Sequence, residues 1–156
     1  MKHLMSSLLI SFFFLSCIKE KSTKYIATLT NTTTHSITIL FYKNGVVYPG
    51  DTIKLIPNQP FEFANGFDRG RSSEPGFSTK YDGGPNDSNV VIFDNIYKVS
   101  HYANTPINLA PKYYLNTSLR NILNPKSYRF ELTEGKNGNV NRHFYDFTEQ
   151  DYLDAK

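Results

Sequence analysis

Much of the chain alternates apolar and polar residues with a period of two, the pattern of β-strands that bury one face. The first two predicted strands have Tyr25, Ala27 and Leu29 on one face of the first and Ile37, Ile39 and Phe41 on one face of the second. Asn44-Gly45 follows, ahead of a short apolar run at residues 46–48. Asn-Gly between apolar runs predicts a tight hairpin, because both central residues of that turn need positive φ.

The same alternation predicts further strands at residues 52–56, 61–63, 90–93, 97–102, 128–133 and 140–147. Ile53 and Leu55 are the inward positions of the first of these, and Asp94-Asn95 predicts a second tight hairpin. One face of the last predicted strand carries Arg142, Phe144 and Asp146. Two short helices are also expected, at residues 118–123 and after Thr148, which suits a helix N-cap.

About eight short strands joined by turns predict an all-β fold, namely an antiparallel β-sandwich of immunoglobulin-like type with a short C-terminal helix. A small barrel is the alternative. The composition agrees, because Thr, Tyr, Phe and Ile are plentiful and favour strands. The 12 Phe and 11 Tyr, with no Trp, predict an aromatic core.

The N-terminus has the layout of an export signal. Lys2 precedes an apolar run over residues 4–15, and the chain turns polar at Lys19. The run is shorter than the roughly 20 apolar residues that a membrane-spanning helix needs. A cleaved signal peptide is therefore expected.

The single cysteine, Cys17, directly follows this run, and Phe14-Leu15-Ser16-Cys17 resembles the lipobox of bacterial lipoproteins. The family usually has Leu and a small residue where Phe14 and Leu15 stand. The resemblance implies cleavage before Cys17, a diacylglycerol on its thiol and a further acyl chain such as palmitate on its amino group. The alternative, an ordinary secreted protein, leaves an unpaired thiol in an oxidising compartment.

This resemblance divides the chain into a signal peptide at residues 1–16, an acylated tether at 17–24 and one domain at 25–156. Ile18 stands where an acidic residue favours retention at the inner membrane, so the outer membrane is expected, on its periplasmic or surface side. The mature chain would keep 140 of the 156 residues, with 16 basic against 14 acidic side chains. This near-neutral balance argues against nucleic acid as a partner.

Residues 65–89 are rich in turn-forming residues and predict a long loop. Candidate binding residues in it are Phe67, Asp68, Arg69, Arg71, Phe77 and Tyr81. The charged members would otherwise form surface ion pairs of little energetic value. The loop is expected to be ordered and to pack over one end or edge of the sandwich.

Tyrosines outside the inward positions form a second set of candidates, because exposed aromatic rings bind sugars, peptides and proteins. Tyr113 and Tyr114 next to Lys112 are the most suggestive, and Tyr42 and Tyr102 belong to the same set. The alternative is that these rings pack under the connection at residues 103–126, which has few other apolar residues.

Catalytic and metal sites are not expected. The oxygen-bearing residues Asp82, Asn86, Asp87 and Asn89 do not have EF-hand spacing. The histidines His35, His101 and His143 lie far apart in sequence, and the chain has no Gly-x-Ser-x-Gly. No cofactor is implied.

These observations predict a non-enzymatic envelope lipoprotein that contacts another envelope protein or a surface glycan. A tethered hydrolase of glycan or peptide and a lipoprotein immunity factor are the alternatives.

Overall fold

The computed structural model describes residues 22–48, 52–69, 87–136 and 138–156, with the backbone alone at 22, 64, 65, 68 and 69. The strands in these residues are β1 (Ser22–Asn31), β2 (Ile37–Lys43), β3 (Val46–Val47), β4 (Ile53–Leu55), β5 (Pro60–Arg69), β6 (Ser88–Phe93), β7 (Tyr97–Tyr102), β8 (Tyr113–Tyr114), β9 (Arg129–Thr133) and β10 (Asn139–Phe147). A 3-10 helix spans Pro125–Ser127 and helix α1 spans Glu149–Ala155. The predicted β-rich fold with a short C-terminal helix is confirmed.

The first sheet has the strand order β5-β1-β10-β9. Its two central strands, β1 and β10, run parallel, and Ala27 lies opposite His143. β5 and β9 pair antiparallel on the two outer sides. β1 begins at Ser22, so residues 22–24 of the expected tether are part of this sheet.

The second sheet has the order β3-β2-β6-β7-β8, and β4 pairs with β2 as well. The pairs are antiparallel except for β7 and β8, which run parallel. Both sheets are therefore mixed, and the prediction of an antiparallel fold is wrong. Alternation along a strand reports which face is buried, but it carries no information on the direction of the neighbouring strand.

The core is one cluster of buried apolar side chains from both sheets and α1. Leu29 and Phe147 come from the first sheet, and Ile39 and Phe93 from the second, all with no exposed surface. The rings of Phe93 and Phe147 meet edge to face with their centroids 6.5 Å apart. The predicted inward positions Ala27, Leu29, Ile37, Ile39, Phe41, Ile53 and Leu55 are buried, as expected.

Three expectations about single segments are corrected. Residues 65–69 continue β5, and Ser88 and Asn89 begin β6, so the irregular connection is shorter than 65–89. Residues 118–123 form consecutive turns instead of a helix, since side chains such as Asn121 bind the backbone of the connection. The strand predicted at residues 128–133 begins one residue later, at Arg129, because Tyr128 is the C-cap of the preceding 3-10 helix.

The C-terminal helix begins where the sequence predicts. Thr148 is the N-cap residue, and the Asp151 carboxylate accepts a hydrogen bond from the Thr148 backbone N–H at 2.7 Å. No helix in the described part of the chain is both long and apolar enough to cross a bilayer.

Candidate functional site

The outer face of the second sheet, opposite the core, carries a groove. The register of β2, β6 and β7 arranges the outward side chains in three rows. These rows contain Tyr42, Ser88 and Tyr102, then Leu40, Val90 and Ser100, then Thr38, Ile92 and Lys98. Successive rows are two residues apart, so the three rows extend over about 13 Å of the sheet.

Two adjoining cavities, of about 460 and 400 Å³, lie along these rows. They share Tyr42, Val90 and Ser100, and we refer to them together as the outer groove. One wall comes from the connection after β7, through Asn104, Thr105, Pro106, Asn108, Ala110, Pro111 and Lys112. The floor of the outer groove is thus a sheet face, and its wall is a loop that carries amide and hydroxyl groups.

Hydrogen bonds hold this wall against the sheet. The Ala103 N–H donates to the Asp87 carbonyl at 3.0 Å, and the Ala110 N–H donates to the Tyr102 hydroxyl at 3.1 Å. At the far end the Ser100 N–H donates to the Lys112 carbonyl at 3.0 Å. The wall is therefore anchored at its start, middle and end, which preorganises the groove.

Asp87 contributes the only carboxylate among the described residues that line the groove. Its Oδ2 accepts a hydrogen bond from the Asn44 N–H at 2.6 Å, and its Oδ1 accepts one from the Ser88 hydroxyl at 3.0 Å. Asn44 and Gly45 both have positive φ, as the predicted tight hairpin requires. Asp87 thus holds the β2–β3 turn at one end of the groove.

The opposite end of the groove is basic. Lys98 and Lys112 line the cavity there, and both are exposed. Within the described residues neither lysine forms a salt bridge. These two ammonium groups are therefore available to a ligand.

The neighbouring candidates Tyr113 and Tyr114 are separated by the alternation of β8. The Tyr113 ring lies beside Tyr102 at the rim of the groove, with centroids 6.4 Å apart, and is 40% exposed. The half-buried Tyr114 points to the other side, where its hydroxyl donates to Asp154. Burial raises the pKa of Tyr114, and the bond to Asp154 raises it further. Tyr113 is thus close to the groove, whereas Tyr114 has a structural role.

None of the remaining candidates is among the described residues that line the groove. Phe67 is 73% exposed on β5 in the first sheet and lines neither cavity. The backbones of Asp68 and Arg69 belong to β5. Arg71, Phe77 and Tyr81 lie outside the described residues, as do Asp82 and Asn86.

His35 has partners that resemble those of a catalytic base. Its Nδ1 lies 2.5 Å from Asp94 Oδ2, and its Nε2 lies 3.4 Å from Glu149 Oε1. Its ring stacks on Tyr152 with centroids 3.6 Å apart. The hydrogen bond with His35, and then that from the Ser36 N–H, lowers the pKa of Asp94. Glu149 is in α1 and Asp94 is in the β6–β7 turn, so His35 joins these two elements. Its Nε2 faces a carboxylate, whereas a catalytic base would face the hydroxyl or thiol that it activates.

No group of three or more His, Cys, Asp or Glu side chains in the described ranges is placed to hold a metal ion. Two of the four oxygen-bearing residues considered above as calcium ligands are described, Asp87 and Asn89. Asp87 accepts hydrogen bonds from Asn44 and Ser88, whereas Asn89 is fully buried on the core side of β6. Their side chains point to opposite faces of the sheet.

Several groove residues were not predicted from the sequence. Tyr42 and Tyr102 were identified as outward rings, and the structure places both in the groove. Ser88 and Ser100 share their face by alternation, which was the available signal for them. Asn104, Thr105 and Asn108 had no such signal, because their position depends on how the connection folds back over the sheet.

Fold and groove together define a small, mostly β domain with a ligand-sized cleft on one sheet face. Comparison of the chain with protein-family models, curated proteins and solved structures gives no match.

Proposed function

We propose that this protein is a lipid-anchored lipoprotein of the cell envelope, and that its β domain is a non-enzymatic binding module with the outer groove as its binding site. The support for the anchor is the export signal followed at once by Cys17. Acyl chains hold a protein at a membrane because each buried methylene contributes about 0.8 kcal/mol. The outer membrane is the proposed location.

The observation that carries the binding function is the outer groove itself. Ligand sites are typically clefts of about 300–1,000 Å³, lined by apolar and aromatic groups with a few polar groups that orient the ligand. Each of the two adjoining cavities, of about 460 and 400 Å³, falls in this range. Val90 and the tyrosines supply the apolar surface, and Ser100 and Asn104 are among the polar groups.

A binding role fits the chemistry of this surface better than catalysis does. The Asp87 carboxylate already accepts two hydrogen bonds that hold neighbouring backbone and side chain in place. The other charged groups lining the groove, Lys98 and Lys112, lie at its opposite end. In this proposal the two sheets pack face to face as an immunoglobulin-like sandwich, and the support is the hydrophobic cluster that both sheets share.

The anchor is tested by labelling cells with an alkyne palmitate analogue. We expect the wild-type protein to incorporate the label and to fractionate with membranes, and Cys17→Ser to lose the label and to retain its signal peptide. An unlabelled wild-type protein would exclude lipidation.

The binding site is tested in intact cells by placing a photocrosslinking residue at Asn104, in the wall of the groove. Phe67, exposed on the first sheet, is the matched control position. We expect an adduct of altered mass from position 104 and none from position 67. Adducts from position 67 alone would show that the binding surface is on the first sheet and not in the outer groove.

A further inference from the structure

The backbone N–H and C=O groups under the outer groove already form hydrogen bonds between the strands of the second sheet. β6 pairs with β2 and β7, β7 pairs with β6 and β8, and β2 has partners on both sides. A peptide that binds by adding a strand needs an unpaired sheet edge. A ligand in this groove therefore cannot bind these strands by adding a strand, and on the floor of the groove it is recognised by side chains.

The side chains available are tyrosine rings surrounded by neutral hydrogen-bonding groups. The Tyr102 ring is held in place because its hydroxyl accepts the Ala110 N–H, and the Tyr113 ring stands beside it. The polar groups that line the same cavity are Ser88, Ser100, Asn104, Thr105 and Asn108. A sugar ring presents an apolar C–H face and a rim of hydroxyl groups, which match an aromatic ring surrounded by hydroxyl and amide groups.

Charge is distributed unevenly along the groove. The tyrosine end contains Asp87, whose carboxylate is occupied by hydrogen bonds from Asn44 and Ser88. The other end, two rows further along β7, contains Lys98 and the nearby Lys112, which have no ion-pair partner in the described ranges. Ammonium groups without a salt bridge at a cleft favour an anionic ligand group, and Lys112 also interacts at longer range with the Asp154 carboxylate.

From this arrangement we infer that the outer groove binds an acidic oligosaccharide. Neutral sugar faces stack on Tyr42 and Tyr102, and an anionic substituent of the chain lies between Lys98 and Lys112. The inference rests on the proposed function and specifies the ligand class of the same site. A carboxylate, as in a uronic acid, and a phosphate ester present the same anionic oxygens to these lysines.

The test measures binding of full-length, detergent-solubilised protein to immobilised oligosaccharides of glucose, of glucuronic acid and of glucose phosphate. We expect the acidic oligosaccharides to bind more tightly than the neutral one, with weaker binding at higher salt. The stronger of the two acidic probes identifies the anionic group. Equal binding of all three would overturn the acidic part of the inference.

Variants locate the interaction. Lys98→Ala combined with Lys112→Ala should weaken binding of the acidic probes by about tenfold or more, because it removes charge-assisted hydrogen bonds. Tyr42→Ala should weaken binding of every probe that binds. The matched control is Lys54→Ala with Lys126→Ala, two exposed lysines that line neither cavity, and it should bind as the wild type does. An equal loss in the control would show non-specific attraction and overturn the assignment.

This experiment and the crosslinking at Asn104 separate the two proposals. If position 104 gives a protein adduct but no oligosaccharide binds, the proposal of a binding module stands and the inference of an oligosaccharide ligand is overturned. Absence of both the adduct and the binding would remove the proposed site together with its ligand. If Tyr42→Ala unfolds the protein, Asn108→Ala in the wall of the groove takes its place. This variant should also weaken binding of every probe that binds.

Discussion

At the scale of single residues, Gly66 in β5 leaves room for the ring of a neighbouring tyrosine. Gly66 lies opposite Tyr25 in the neighbouring strand. A Cβ built on Gly66 would lie 2.7 Å from both Cε1 and the hydroxyl oxygen of Tyr25. The tyrosine ring therefore covers the space that any other side chain at position 66 would occupy.

We expect Gly66→Ala to destabilise the fold by about 1–3 kcal/mol, since the ring or the strand must shift to relieve the overlap. Urea unfolding of the variant and the wild type measures the difference. In a Tyr25→Ala background the same substitution should have a much smaller effect. Equal effects in the two backgrounds would show that the ring is not responsible.

His101 is a buried neutral histidine. Its Nδ1 accepts a hydrogen bond from the Ile122 N–H at 3.0 Å, so its proton is on Nε2, which has no hydrogen-bond partner among the described residues. Burial lowers the pKa of His101 to about 3, and the nearby Arg120 charge also acts to lower it. The folded protein consequently excludes the imidazolium form.

Because the pKa of His101 is lowered in the folded protein, we expect the free energy of unfolding to decrease in mild acid. Below pH 6.5 the unfolded chain protonates this histidine while the folded chain does not until about pH 3, so stability falls as the pH decreases through this window. The contribution is at most about 1.4 kcal/mol per pH unit. His101→Gln keeps an acceptor for the Ile122 N–H without titrating in this range. Its free energy of unfolding should depend less steeply on pH between 6.5 and 5, and an unchanged slope would contradict the assignment.

At the scale of elements, α1 is joined to the rest of the domain by a buried polar cluster. Arg120 Nη2 lies 2.7 Å from Asp151 Oδ1 and donates to the Thr148 hydroxyl at 3.0 Å. Burial raises the pKa of Asp151, while the Thr148 N–H and the Arg120 charge oppose that rise. Arg120 thus compensates a carboxylate that is 2% exposed.

We expect Arg120→Met to destabilise the protein by about 1–3 kcal/mol, because it removes the cation beside the buried Asp151 carboxylate, which keeps only its hydrogen bonds from Thr148. Thermal unfolding monitored by circular dichroism measures the loss. Adding Asp151→Asn should recover part of the stability, since the amide oxygen still accepts the Thr148 N–H. A double variant less stable than Arg120→Met would show that the buried charge is not the main cause.

At the scale of the whole molecule, the two ends of the described chain meet in the centre of the first sheet. β1 and β10 pair in parallel over nine positions, from Thr23 opposite Asn139 to Asn31 opposite Phe147. β9 belongs to the sheet only through β10. The first sheet is therefore incomplete until the C-terminal strand is present, and such long-range pairing is expected to fold slowly.

Truncation tests this dependence. A chain ending at residue 138 loses β10 and should show no cooperative urea transition. A chain ending at residue 148 loses only α1 and should keep a cooperative transition at a lower urea concentration. A cooperative transition in the shorter chain would show that the second sheet folds independently of β10.

Local features of this fold were predictable because they depend on adjacent residues. Alternation identified the buried faces at Leu29, Ile39 and Leu55. The Asn44-Gly45 and Asp94-Asn95 turns have the positive φ values that their residue types favour. The binding candidates were less predictable, since of the two neighbours Tyr113 and Tyr114 only Tyr113 lies beside the groove residue Tyr102, and neither lines the groove itself.

The sequence by itself determined the mostly β class of fold, the inward faces of β1, β2 and β4, two tight turns and the start of the C-terminal helix, because each depends on side chains a few residues apart. Only the tertiary structure decided that β1 and β10 run parallel and that the connection after β7 forms a wall beside Tyr102. These features depend on contacts between segments distant in sequence, such as Ala103 with Asp87 and Thr32 with Phe147. Such contacts are selected by the packing of the whole core, for which no short stretch of sequence carries a signal.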